Sequence, residues 1–211
     1  MSNRSNHRRQ ARGYTFVELL MSLLIFSIGV TGVIAMQKVT ITSNQHAKDL
    51  AVATQIAQAW MDQLHADAIA WNHPSVVQAS DDLADTAWLG TVAQTNTNWV
   101  RPVYVEARNF GPAFDVQGNP INIGTDTTTP VKFCTHIRLS WLYQPNAATS
   151  TMVGNGLMRA EVRVFWLRDG QPWPNNKSIC DIAQNANSMS SDSSRYHVVY
   201  NVSAVRENTA Q

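Results

Sequence analysis

The chain has 211 residues, of which 44% are hydrophobic and 15% charged, and its formal net charge is +1. That length leaves room for one membrane segment and one modest domain, and the composition excludes a disordered polymer. Residues 1–13 hold Arg4, Arg8, Arg9 and Arg12 with no carboxylate, so a chain without them carries −3, which argues against a general polyanion-binding surface and against nucleic acid as a partner.

Tyr14 to Met36 is an apolar run of 23 residues in which Glu18 is the one carboxylate, and Leu19 to Met36 holds no charge. As a helix rising ~1.5 Å per residue, the run is roughly 34 Å long, enough for a hydrocarbon core of about 30 Å. Arginines cluster before it and only Lys38 and Lys48 follow it closely, so the positive-inside rule places the N-terminus in the cytoplasm and the remainder outside. A secretory signal cleaved near Val33-Ile34-Ala35 fits less well, because the apolar stretch exceeds the usual 7 to 15 residues or so and Glu18 then serves no purpose. A plain single-pass anchor leaves the same carboxylate unexplained.

No proline occurs between Tyr14 and Pro74, so the helix is expected to continue beyond the membrane to Trp71 and to stop at Asn72-His73-Pro74. Leu50, Ala53, Ala57, Trp60 or Met61, Leu64 and Ala68 recur at three- and four-residue steps and form one apolar stripe. Residues 73–98 read as a polar connector with a short helix started by Ser80 and carrying Leu83, Ala84 and Trp88. Beyond it the period changes to two, which predicts four strands: Val100, Val103 and Val105; Phe133, Thr135, Ile137, Leu139 and Trp141; Ala160, Val162, Val164 and Trp166; and Tyr196, Val198, Tyr200 and Val202. Long turn-rich stretches between them suggest an antiparallel meander, one face on the helix stripe and the other toward solvent or a partner.

Cys134 and Cys180 allow one intramolecular pairing, and a bridge closing about 47 residues contributes on the order of 4 kcal/mol in the chain-entropy model; two separate buried thiols are the alternative. His136 is near Cys134, but no second Cys/His pair completes a metal signature. No P-loop, Gly-x-Ser-x-Gly, His-Glu-x-x-His or Cys-x-x-Cys occurs, so the residues indicate neither an enzyme nor a cofactor or small-molecule substrate. His65, Asp67 and His73 read as a solvated helix end in preference to a metal site, and Asp81, Asp82 and Asp85 as a charged helix start in preference to a calcium loop. Arg138, Arg159 and Arg163 read as solvent-facing strand residues that protect sheet edges. Trp173, between Pro172 and Pro174, is the candidate for contact with a partner protein.

Gly13-Tyr14-Thr15-Phe16-Val17-Glu18-Leu19-Leu20, joined to a basic leader, resembles the class III signal of type IV pilins and related pseudopilins. The resemblance implies cleavage between Gly13 and Tyr14 by a prepilin peptidase, N-methylation of Tyr14, and a role for Glu18 in assembly, where its carboxylate meets the new amine of its own or a neighbouring chain. Gly29 to Gln37 and Trp60-Met61-Asp62-Gln63-Leu64 are similar to the PilV-like branch of minor pilins, and the absence of a proline in the first half of the helix fits a minor component better than the principal fibre subunit. The implied fold class is α+β, a long N-terminal helix packed on a C-terminal antiparallel sheet. Its divisions are a leader at 1–13, a transmembrane half at 14–36, an outer amphipathic half at 37–72, the connector at 73–98 and a sheet domain at 99–211. The implied function is that of a minor type IV pilin, with a pseudopilin of type II secretion and a pilus-borne adhesin or DNA-contacting module as alternatives. The implied partners are prepilin peptidase, other major and minor pilins, the inner-membrane pilus assembly platform and the lipid bilayer. The implied location is the inner membrane and then a cell-surface pilus.

Overall fold

The computed structural model describes residues 14–71, 82–92, 98–144, 156–173, 180 and 194–207. The leader with Gly13, the stop at Asn72-His73-Pro74, Ser80 and Asp81 lie outside the described residues. Two compact units divide the chain, Met1–Gln45 and His46–Gln211.

The first helix, α1, runs from Phe16 to Asp67. Thr15 precedes it as the capping residue, its hydroxyl 3.3 Å from the Glu18 N–H, in a Thr-x-x-Glu arrangement that satisfies a donor the first turn cannot satisfy itself. In the first unit the helix hydroxyls turn back on their own carbonyls: Ser22 to Glu18, Ser27 to Leu24, Thr31 to Ser27 and Ile28, Thr40 to Met36 and Thr42 to Lys38. These hydroxyls need no external partner, which suits a surface facing hydrocarbon.

In the second unit α1 packs on a five-stranded, wholly antiparallel sheet of order β2-β1-β3-β4-β5, with β1 at Ala113–Phe114, β2 at Pro120–Ile121, β3 at Phe133–Tyr143, β4 at Leu157–Leu167 and β5 at Tyr196–Arg206. The architecture is therefore the α+β, pilin-like one expected. Ala53, Ile56, Ala57, Trp60, Met61, Leu64, Ala68 and Trp71 bury one helix stripe against Phe133, Ile137 and Leu139 of β3 and Met158, Ala160, Val162, Val164 and Trp166 of β4. Trp60 meets Trp88 and Phe110 edge-on, with centroids 5.1 and 4.8 Å away, an arrangement that adds to the area it buries.

Two expectations are corrected, and the ladder assigns the faces of β5. Val100, Val103 and Val105 form no strand: Val100 and Val105 make isolated bridges to Ile137 and Phe110, while Pro102 interrupts the run and lacks the N–H a ladder requires. On β5 the even-numbered set turns away from the helix, and His197, Val199, Asn201, Ser203 and Val205 share the face of their β4 partners Trp166, Val164, Val162, Ala160 and Met158. The outer face does not simply meet solvent, for at one end it carries a second core of Ala113, Ile121, Val131, Cys134, Phe165, Leu167, Trp173, Cys180 and Tyr196.

The helix ends at Asp67, short of Trp71, in a tightened turn where Ala70 and Trp71 donate three residues back to Asp67 and Ala68. Asp67 is no solvated terminus. Its side chain is fully buried and accepts the N–H groups of Ala87 at 2.8 Å, Trp88 at 2.8 Å and Leu89 at 3.0 Å, together with Arg108 Nη2 at 2.9 Å. This carboxylate holds the segment after the helix against the core, and its charge is matched by four donors. Asp67→Ala leaves those donors buried and unmatched and is expected to cost about 3–5 kcal/mol. Asp62→Ala, on the exposed face, is expected to stay within about 0.5 kcal/mol, both read by tryptophan fluorescence during urea unfolding in detergent.

Candidate functional site

The N-terminal end of α1 combines four properties. Tyr14 is 84% exposed and precedes the helix in non-helical conformation. Glu18 lies in the first helical turn, where the dipole favours a negative charge. Among the described residues its carboxylate has no cationic partner, and its recorded hydrogen bonds use only backbone atoms. From Tyr14 to Lys48 every residue is exposed, including Phe16, Leu19, Leu20, Leu23, Leu24, Ile25 and Phe26. An apolar surface this continuous is stable only when lipid or other helices cover it, and a carboxylate within it gains from a positive partner brought by processing or by a neighbour. By length and composition α1 is able to cross a membrane.

The remaining site residues lie in the second unit. Cys134 and Cys180 are joined by a disulfide, with Cα atoms 5.3 Å apart and both residues fully buried. Residue 180 is thereby tied to β3 from the sheet's outer face. His136, on the same face of β3, reinforces the tie: its Nε2 lies 2.6 Å from the Cys180 carbonyl, and its Nδ1 lies 2.8 Å from Arg163 Nη2. A guanidinium only donates, so Nδ1 accepts and Nε2 carries the proton given to the carbonyl. Burial brings the Arg163 pKa down to about 10 against the opposing effect of Tyr200, so the group stays charged at neutral pH. Arg163 is 1% exposed on the interior strand β4, which corrects the expectation of a solvent-facing edge guard; its guanidinium lies 4.6 Å from the Trp99 ring centre.

Trp173 is also corrected. It is 3% exposed, stacks on Tyr196 with centroids 5.8 Å apart, and donates its indole N–H to the Lys132 carbonyl at 3.1 Å. An indole so enclosed belongs to the second core and offers no free ring to a partner. Of the acids read as a helix start, Asp82 and Asp85 bound a short 3-10 turn, and the described residues contain no group of His, Cys, Asp and Glu able to hold a metal.

Reasoning from sequence alone missed the capping role of Thr15, although the Thr-x-x-Glu spacing signals it. It also missed the buried pair of Asp49 with Lys132, 2.7 Å apart, which no local pattern announces because 83 positions separate them.

The family model described as the prokaryotic N-terminal methylation motif matches residues 8–34. No curated protein and no solved structure matches the chain. The match takes in the basic segment from Arg8 onward, the Gly13–Tyr14 junction, Glu18 and most of the apolar run, and leaves the sheet outside it.

A pH dependence follows from the contact between α1 and β5. The His197 ring lies 4.5 Å from His46 and 5.3 Å from Trp166. Burial first, then the His46 and Arg168 charges, hold its pKa below the ordinary 6.5, with Asp49 opposing. A folded value below the unfolded one means the folded protein resists protonation, so this contribution is complete above about pH 6.5 and is lost as pH falls through the depressed value. The thermal midpoint of the purified protein is expected to fall as pH drops below about 6.5, and His197→Gln is expected to make that fall shallower.

Proposed function

We propose that this chain is a minor, PilV-like type IV pilin: a prepilin peptidase cuts after Gly13 and methylates Tyr14, and the mature helix carries the subunit from the inner membrane into a pilus. The observation that carries the reading is the Glu18 carboxylate, which lies inside the matched motif, has no cationic partner among the described residues and heads the exposed, uncharged run from Leu19 to Met36. Cleavage creates an ammonium at Tyr14, just ahead of the helix whose first turn carries Glu18. The same ammonium on a neighbouring subunit neutralises the carboxylate and fixes the register between helices, as a charge pair within an apolar packing does. The reading divides the chain into a leader at 1–13, a membrane half at 14–36, an outer half to 72, a connector to 98 and a sheet domain beyond it.

On this reading the role is structural and not enzymatic. The partners are the peptidase, other pilins, the assembly platform and the bilayer, and the Cys134–Cys180 bridge lies in the oxidising periplasm. Support for a minor subunit comes from the unbroken helix, since no proline bends α1.

Glu18→Ala removes the assembly carboxylate without removing apolar length. Its expected effect is unchanged membrane insertion with about tenfold less protein in sheared pili, equivalent to roughly 1.4 kcal/mol, measured by quantitative immunoblot of membrane and pilus fractions. Glu18→Asp is expected to recover part of the loss; equal incorporation of all three proteins contradicts the proposed pairing.

A further inference from the structure

The two edges of the sheet are built differently. At one edge β2 is two residues long and begins with Pro120, a blunt end that pairs poorly with another strand. At the other, β5 runs for 11 residues, and the β4–β5 register is regular throughout.

The ladder determines which β5 groups face outward. Arg168 N–H donates to the Arg195 carbonyl at 2.9 Å beyond one end of β5, and Glu207 N–H donates to the Gly156 carbonyl at 2.9 Å beyond the other. Hydrogen-bonded pairs alternate along an antiparallel ladder, so His197, Val199, Asn201, Ser203 and Val205 bond to β4. The even-numbered residues turn their N–H and C=O groups to the free edge. Arg168 Nε occupies the Tyr196 carbonyl at 3.2 Å, and His65 Nε2 approaches the Ala204 carbonyl at 3.4 Å. Between those ends, Val198, Tyr200 and Val202 each present an open donor and an open acceptor, with no partner among the described residues.

The devices that discourage pairing are missing here. From Tyr196 to Val205 there is no lysine, arginine, proline or glycine, and β-branched valines predominate. Tyr200 and Val202 stand 58% and 51% exposed on the outer face beside this edge, two apolar footholds for a strand laid against it.

Charge selects the occupant. Arg206 is exposed at one end of β5, and Arg168 and Arg195 are exposed at the other. Of the nearby carboxylates, Glu161 is buried against Arg138 and Arg159, Glu207 is buried on the Gly156 N–H, and Asp169 accepts the Gln171 N–H and leaves Arg168 and Arg195 in excess at its end. A second copy paired antiparallel through β5 sets these arginines against one another, so the edge disfavours itself. We propose that β5 accepts an extended strand from a different protein, β-branched or aromatic along its middle and acidic at both ends, which continues the sheet by backbone pairing. The proposal is independent of Gly13 processing and of Glu18, and its failure leaves the pilin reading untouched.

The test uses the full chain in detergent micelles, the acetylated peptide Glu-Val-Thr-Val-Thr-Val-Glu as probe, and amide hydrogen exchange read residue by residue by NMR. At millimolar peptide the Val198, Tyr200 and Val202 amides are expected to exchange about tenfold more slowly or better, with those of Val199, Asn201 and Ser203 unchanged. A Lys-ended peptide and the Glu-ended peptide N-methylated at every backbone nitrogen are both expected to have no effect. Val202→Pro removes an outward N–H that the β4 ladder does not use, so it is expected to abolish the response while the odd-numbered amides keep their protection. No slowing with the Glu-ended peptide, an equal response to the Lys-ended one, or a response surviving in Val202→Pro overturns the proposal. Slowing that appears without peptide as protein concentration rises overturns it in favour of a second copy.

Discussion

One helix has to satisfy two environments, and the change comes at Asp49. Through Lys48 each described residue of α1 is exposed, and from Asp49 onward a set spaced by three and four residues is buried. The exposed part requires an apolar cover from outside the chain, and the buried part receives one from the sheet. Two buried carboxylates stand at the ends of the packed stretch: Asp49, 2.7 Å from Lys132, and Asp67, held by three backbone N–H groups and Arg108. They lie about 27 Å apart along a helix axis. A buried charge is tolerated only where its partners are in place, so sliding the helix by one turn strands both acids at once. Apolar contacts alone permit several positions of a small-residue stripe on a sheet. The two acids leave one.

How much of this was legible in the sequence follows from the range of each interaction. The helix, its stripe and the three long strands were readable, because each depends on periodicity within some ten residues. The two-residue strands β1 and β2 were not, since Ala113–Phe114 and Pro120–Ile121 are too short to display a period. On β5 apolar alternation does not mark the inner face: Val198, Tyr200 and Val202 stand opposite Phe165, Arg163 and Glu161, while His197 and Asn201 share the face that meets the helix. Period two gives the alternation but not which side is inward, and that choice is made by the ladder to β4.

The candidate site divides in the same way. The methylation motif was readable because it is contiguous, and the roles proposed for Gly13, Tyr14 and Glu18 rest on it. Asp67 and Arg163 were misassigned, because a charged side chain is solvated unless distant partners enclose it, and nothing local tells of Ala87, Trp88, Leu89 or His136 converging on them. Trp173 failed for a related reason: its flanking prolines suggested an exposed loop, whereas Tyr196 and Phe165 enclose the ring. The disulfide explains why a core exists on that side of the sheet at all. It brings Cys180 to Cys134 across 46 positions, and His136 and Arg163 complete the attachment.

The proposed pairing requires a positive charge at Tyr14, since among the described residues Glu18 has no cationic partner. Intact-mass and N-terminal peptide mass spectrometry of protein purified from the native membrane measures this directly. The proposed processing yields a chain that begins at Tyr14 with a methylated amine; a chain that retains residues 1–13, or one that begins near Met36, contradicts it.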